Sequence, residues 1–214
     1  MTASLRLYEE LVLLGLHNEK GKLKSMWVPH VIAVSVIAEL GQLDRIELGH
    51  RPANFVSVVD STPVDDDLMD AVLRLIDASP EPKRLREWML EISGTKELLP
   101  LAAERLVEDQ VLSMNVERAL LVLKRTTFPV LNPEPEDEVV NRLWNAIFDH
   151  GHVDRRTALL VGLAHSSGLL RLEFGDEALA EQRERIDAIV TLSDVNLSIS
   201  EALETLSGSA KNWI

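Results

Sequence analysis

The sequence contains no cysteine, few aromatic residues and no long apolar run, and each absence excludes a class of protein. Without cysteine there is neither a disulfide framework nor a thiolate metal or redox site. Aromatic residues make up only 4% of the 214 residues, so the core must be built from Leu, Val, Ile and Ala, which favours helices packed on helices. No stretch approaches the roughly 20 apolar residues that a membrane-spanning helix needs. We therefore expect one globular domain over residues 1–214.

The balance of charge is strongly acidic. A net charge of −13 disfavours binding to nucleic acid and broad adhesion to an anionic bilayer, so any contact with phosphate must come from a local basic cluster. The N-terminal sequence is not expected to be a signal peptide, because Glu9 and Glu10 interrupt its apolar residues and no basic region precedes them. These features predict a cytoplasmic protein that is either free or peripherally bound to a membrane.

The most apolar part of the chain is DRRTALLVGLAHSSGLLRLEF, residues 154–174. Residues 158–170 carry no charge in any direction around a helix, which is typical of a helix buried at the centre of a domain. We expect this stretch to be the most buried segment. Amphipathic helical patterns surround it, and residues 45–59 and 114–125 have the spacing of short β-hairpins. The predicted fold is all-α, a compact helical domain around a buried central helix.

No catalytic or metal-binding pattern stands out. His165 is adjacent to Ser166, but neighbouring residues on a helix point about 100° apart, so they cannot form a base–nucleophile pair by themselves. A core histidine bonded to a neighbouring helix is the favoured interpretation. His150 and His152 suggest a metal site, although two histidines around a glycine are more often surface residues. We expect no metal, no cofactor and no enzymatic activity.

One basic cluster is a candidate binding site. Lys20, Lys22 and Lys24 alternate just before Trp27, which brings three cations and an indole into one short segment. Lysines attract phosphate as point charges, and tryptophan favours a membrane interface. The alternative is a solvated basic turn beside a core tryptophan, and the residues alone leave both open.

Several segments resemble, in the same order, those of the Golgi phosphoprotein 3 family. They are EELVLLGLHNEKG, SMW with the later IAEL, DDLMDAVLRLI with REWMLEISG, ERLVEDQVL followed by RTTFPVL, and DRRTALLVGLAHSSGLL. The resemblance covers the chain from about Leu5 to Phe174. The short loops and the short N-terminal segment are similar to those of a bacterial member of the family. The resemblance to this family implies a compact helical fold with short hairpins, and the composition also predicts a helical fold.

The resemblance also implies a function and a site. Eukaryotic members bind phosphatidylinositol 4-phosphate at the Golgi and hold membrane-bound enzymes by their cytoplasmic tails. The family's headgroup site has a tryptophan, which matches Trp27, and several arginines. The position of one family arginine is occupied here by Ala33. Lys96 and Arg105 lie near the positions of the other family arginines. We expect the headgroup-binding residues to be Lys20, Lys22, Lys24, Trp27, Lys96 and Arg105. The family's membrane-inserting hairpin corresponds to residues 113–124, with the apolar side chains of Ala119, Leu120, Leu121, Val122 and Leu123.

Three functions follow, in decreasing order of support. The first is a peripheral membrane adaptor that binds an anionic phospholipid headgroup. The second is a soluble protein-interaction scaffold of the same fold without a lipid site. The third, much weaker, is an enzyme that acts near His165 or His150. For residues 119–123 we expect one exposed arm of a hairpin, the alternative being a strand packed against the helices.

Overall fold

The structure, a computed structural model, describes residues 4–49, 54–119 and 123–192, and within these ranges it is mainly helical. The first half contains α1 (Leu7–Gly15), α2 (Val28–Gln42), β1 (Ile46–Leu48), β2 (Phe55–Val58), α3 (Asp67–Asp77), β3 (Lys83–Arg84) and α4 (Leu85–Ser93). The second half contains α5 (Leu98–Glu108), β4 (Asn115–Ala119), β5 (Leu123–Thr127), α6 (Glu134–Ile147), α7 (Arg155–Ser166), α8 (Leu169–Phe174), α9 (Asp176–Glu181) and α10 (Arg183–Val190). The helical fold with short strands confirms the predicted fold class.

The strands form two small antiparallel sheets. The first has the order β1-β2-β3, with Ile46 opposite Val58, and it contains the predicted hairpin at residues 45–59. The second is the β4–β5 hairpin, in which Asn115 is opposite Thr127 and Ala119 is opposite Leu123. Both sheets lie at the margin of the helical core.

The centre of the core is α2. All ten of its residues from 31 to 40 are buried, and the helix packs against α1, α3, α4, α5 and α7. Because other helices cover α2 on several sides, it needs apolar residues all round, as its sequence VIAVSVIAEL has. Residues 7–16, which include α1, are also buried throughout.

The prediction for residues 158–170 is wrong in two respects. The stretch is two helices, since α7 ends at Ser166 and Gly168, with φ +77°, turns the chain into α8. His165 is exposed, so it is not a core histidine and the stretch is less continuously buried than α2. The reason is that the C-terminal end of α7 borders an open cavity, whereas other helices surround α2.

A network of buried charges joins the helices beneath the start of α1. Arg156 on α7 lies 3.0 Å from a carboxylate oxygen of Glu10 and 3.4 Å from one of Glu39, and it donates to the Leu5 carbonyl at 2.6 Å. Arg142 on α6 also pairs with Glu10, at 2.7 Å. These arginines balance carboxylates that are otherwise enclosed by apolar side chains, which a buried charge requires.

Candidate functional site

The lysine turn, residues 17–24, connects α1 to α2. It is closed by backbone hydrogen bonds, with the Gly21 N–H donating to the His17 carbonyl at 2.7 Å and the Lys24 N–H donating to the Gly15 carbonyl at 2.7 Å. Lys20 and Lys22 are exposed in this turn, and within the described part of the chain neither ammonium has an ion-pair partner. The two charges are therefore available to an external anion.

The lysine turn is attached to the base of the β4–β5 hairpin. The Phe128 N–H, just after β5, donates to the Gly21 carbonyl at 2.8 Å, and the Val130 N–H donates to the Asn18 carbonyl at 2.9 Å. Gly21 has φ +55°, and a Cβ at this position would overlap the backbone of Phe128 and Pro129. Only glycine fits here, both because of the positive φ and because of this close approach.

The hairpin itself differs from the sequence prediction in where its arms lie. Ala119 ends β4 and Leu123 begins β5, so residues 119–123 span both strands and are not one arm. Alternating apolar residues indicate a strand, but they do not show where a chain reverses. Leu120, Leu121 and Val122 lie outside the described residues, so the predicted membrane insertion of this segment stays a prediction.

Exposed apolar side chains lie at the base of the hairpin. Met114, just before β4, and Val116, within it, are each 52% exposed. Met114 also lines an apolar groove of about 300 Å³ with Leu101, Val107 and Phe128. The Phe128 N–H is bonded to the lysine turn, so that turn adjoins the base of the hairpin. We call Lys20, Lys22, Met114 and Val116 together the basic–apolar surface.

Lys24 is engaged inside the protein. Its ammonium lies 3.4 Å from a carboxylate oxygen of Glu136 and 3.8 Å from one of Glu173, and its side chain is only 16% exposed. Burial raises the pKa of Glu136, and the nearby ammonium of Lys24 partly offsets this. Lys24 thus ties the lysine turn to α6 and α8.

Arg105 and Lys96 lie elsewhere. The Arg105 guanidinium pairs with Glu9 at 3.0 Å and lines a cleft of about 200 Å³ whose exposed charges are acidic: Asp65, Asp67, Glu104 and Glu108. Lys96 is exposed in the turn between α4 and α5. Ala33, where the resemblance places a family arginine, is completely buried in α2. Among these positions only Trp27 borders the cavity described next.

Trp27 lies just before α2, packs against His30 with ring centroids 5.3 Å apart, and lines a cavity of about 710 Å³. The rest of the lining comes from the end of α7 and from α8, α9 and α10. The charged and titratable side chains in it are His165, Arg171, Asp176, Arg183 and Asp187. The sequence prediction missed Arg171 and Arg183 as partners of Trp27, because no local pattern connects them to it.

Burial shifts the titration of Glu9, which is a buried carboxylate like Glu10 and Glu39 and extends the charge network through its pair with Arg105. It raises the pKa of Glu9 to about 7, although the Arg6 N–H and the Arg105 guanidinium favour the charged form. Burial also raises the pKa of Glu39. Burial by itself would lower the pKa of Arg156, but the carboxylates of Glu10 and Glu39 outweigh this effect, and the pKa of Arg156 is raised.

The fold is thus a mostly helical domain with short hairpins, and none of its described helices is long and apolar enough to cross a membrane. Residues 7–206 match the family described as Golgi phosphoprotein 3 (GPP34). The match covers most of the chain, so this protein belongs to the Golgi phosphoprotein 3 family.

Proposed function

We propose that this protein is a peripheral membrane adaptor, not an enzyme, and that it docks on an anionic phospholipid headgroup. By family resemblance the headgroup is phosphatidylinositol 4-phosphate-like. The observation that carries the proposal is the basic–apolar surface: a turn whose two exposed lysines have no ion-pair partner among the described residues is hydrogen-bonded to the base of a hairpin with two exposed apolar side chains. Cations next to apolar side chains suit the boundary between lipid headgroups and acyl chains.

The strength of docking follows from these side chains. Each lysine near an anionic membrane contributes about 1 kcal/mol, less as salt rises. Met114 and Val116 are already half-buried, so transfer into the bilayer adds roughly 1 kcal/mol each. The total of about 4 kcal/mol corresponds to weak, reversible binding, and stable attachment then needs a second contact. A protein partner at the membrane, such as the tail of a membrane-bound enzyme, would supply it.

Selectivity among headgroups should be low. Lysine holds phosphate as a flexible point charge, whereas the planar guanidinium of arginine binds it in a bidentate manner. Lys24 and Arg105 have carboxylate partners within the protein, and a buried alanine, Ala33, occupies the position of a family arginine. We therefore expect surface charge to matter more than the position of the phosphate.

Co-sedimentation with vesicles tests the proposal. Vesicles of phosphatidylcholine alone are compared with vesicles that also contain phosphatidylserine or phosphatidylinositol 4-phosphate, at low and high salt. The Lys20→Ala/Lys22→Ala variant should bind anionic vesicles about 30-fold more weakly at low salt, from about 1 kcal/mol per lysine. The matched control, Arg74→Ala/Arg86→Ala, removes two exposed charges on α3 and α4 and should bind as the parent does.

A parent protein that binds no anionic vesicle would exclude the proposal and favour the second candidate, a soluble protein-interaction scaffold. One observation favours that candidate, since Leu101, Glu104 and Glu108 border both the acidic cleft and the apolar groove. A continuous acidic and apolar surface suits a basic amphipathic peptide. If the scaffold function is correct, Glu104→Gln/Glu108→Gln should weaken binding of such a peptide and leave vesicle binding unchanged.

A further inference from the structure

We propose that residues 4–6, which we call the strap, form a proton-sensitive closure over Glu9 that is held while this carboxyl group is protonated and released as it ionises. The strap leads directly into α1 and lies outside any helix or strand. The contacts that it makes with other parts of the chain therefore determine whether it stays closed. None of its residues belongs to the basic–apolar surface, so the device does not depend on membrane docking.

Arginines on two helices hold the strap by its backbone. Nη2 of Arg156 on α7 donates to the Leu5 carbonyl at 2.6 Å, and Nη2 of Arg105 on α5 donates to the Ser4 carbonyl at 3.4 Å. Arg105 also pairs with the carboxylate of Glu9, at 3.0 Å. The same guanidinium therefore contacts both the strap and this carboxylate, which links the charge of Glu9 to the position of the strap.

Arg6 closes the strap directly over Glu9. Its backbone N–H donates to Oε2 of Glu9 at 2.6 Å, and its guanidinium lies 3.4 Å from a carboxylate oxygen of Asp66, just before α3. Glu9 is completely buried in this arrangement. Because the backbone of Arg6 is in contact with the carboxyl group, release of the strap would let water reach it.

Charges of both signs surround this carboxyl group. The charged and titratable groups around Glu9 and its neighbour Glu10 are Arg6 in the strap, Tyr8 on α1, Glu39 on α2, Asp66 before α3, Arg105 on α5, Arg142 on α6 and Arg156 on α7. The charged residues of α8 have other partners, Glu173 with Lys24 and Arg171 with Asp176. Burial raises the pKa of Glu9 to about 7, and the Arg6 N–H and the Arg105 guanidinium offset this only in part.

The direction of the switch follows from the hydration of Glu9 in the two states. In the closed state the carboxyl group is buried and its pKa is about 7, whereas in the released state water hydrates it and its pKa falls towards the ordinary 4.5. The closed state thus binds the proton more tightly. Its advantage is fully present below the lower pKa and is lost as pH rises through the higher one. Between pH 5 and pH 8 the ratio of closed to released strap should fall roughly 50- to 100-fold.

Release of the strap would change two clefts. Ser4 and Leu5 line one cleft of about 280 Å³, together with Glu10. Arg105, which donates to Ser4, lines the acidic cleft of about 200 Å³. The strap therefore adjoins both clefts, and its release above neutral pH would uncover the ionised Glu9 and make this face of the protein more acidic.

Amide hydrogen exchange measured by NMR tests the inference on the unmodified chain. After correction for the intrinsic pH dependence of exchange, the Arg6 N–H should be roughly 50- to 100-fold better protected at pH 5 than at pH 8. The Phe128 N–H is the matched reference, because it also lies outside any helix or strand and donates a single bond, to the Gly21 carbonyl at 2.8 Å. Its protection should be the same at both pH values.

Two variants assign the effect to one carboxyl group. In Glu9→Gln a neutral side chain of the same shape replaces the carboxylate, so the Arg6 N–H should be well protected at both pH values. Glu104→Gln removes an exposed carboxylate next to Arg105 in the sequence and should keep the pH dependence of the parent.

Three results would overturn the inference. The first is protection of the Arg6 N–H that is independent of pH or weaker at pH 5. The second is a parallel change at Phe128, which would show that pH acts on the whole fold and not on the strap. The third is a pH dependence that persists in Glu9→Gln. If that variant does not fold, the two amides of the unmodified chain decide the matter.

Discussion

Substitution of Gly21 by alanine tests the attachment of the lysine turn to the hairpin. Positive φ makes alanine unfavourable by about 1–2 kcal/mol. The new methyl group also meets the backbone of Phe128 and Pro129, which no side-chain rotation relieves, and overpacking of this kind costs about 1–3 kcal/mol more. The sum, about 2–5 kcal/mol, corresponds to a fall in Tm of roughly 5–15 °C for a domain of this size.

Gly168→Ala is the matched control. Gly168 also has positive φ, +77°, but the nearest atom to an added Cβ is the far end of the Arg171 side chain at 3.8 Å. Only the backbone strain applies, so the expected loss is about 1–2 kcal/mol. Thermal unfolding followed by circular dichroism measures both variants. Equal falls in Tm would show that Gly21 does not pack against the hairpin strand, and the reasoning for a joined surface would fail.

The charge network gives two further predictions. Burial raises the pKa of Glu9 in the folded protein to about 7, above the ordinary value of 4.5, so the folded state binds the proton more tightly. Stability should therefore rise by about 2–3 kcal/mol as pH falls from 8 to 5. Glu9→Gln should remove this part of the pH dependence in urea unfolding, and an unchanged slope would contradict the assignment. Arg156→Ala should lower stability by about 3–5 kcal/mol because it takes the paired arginine from buried Glu39 and leaves buried Glu10 with Arg142 alone. Arg171→Ala, at an exposed pair, should change stability by less than about 1 kcal/mol, and similar losses in the two arginine variants would argue against a buried network.

Local patterns in the sequence were sufficient for the fold class. The apolar periodicity and the low aromatic content predicted helices packed on helices, and Gly49 and Pro52 marked the first hairpin. The central helix was assigned to the wrong stretch because α2 and α7 look alike in sequence. Which of two apolar helices lies deeper depends on the helices that cover it, and that is not a local property.

The candidate site was harder to predict because its side chains are paired through distant residues. Lys24 belongs to the same sequence cluster as Lys20 and Lys22, but Glu136 and Glu173 neutralise it from α6 and α8. Trp27 likewise borders residues of α7 to α10, which no spacing in the sequence brings near it. Short-range patterns therefore identified cations and an indole, and only the packing of the helices separates them into a surface and a cavity.

The most direct test of the central claim is whether the base of the hairpin contacts an anionic bilayer. The chain has no cysteine, so Val116→Cys provides a single site for an environment-sensitive fluorophore. Leu90→Cys, at a 40% exposed leucine on α4, is the matched control. On addition of vesicles containing phosphatidylinositol 4-phosphate, the label at residue 116 should shift to the blue and become inaccessible to a soluble quencher, while the label at residue 90 should not change. If both labels respond alike, or neither responds although the protein sediments with the vesicles, the basic–apolar surface is not the one that meets the membrane.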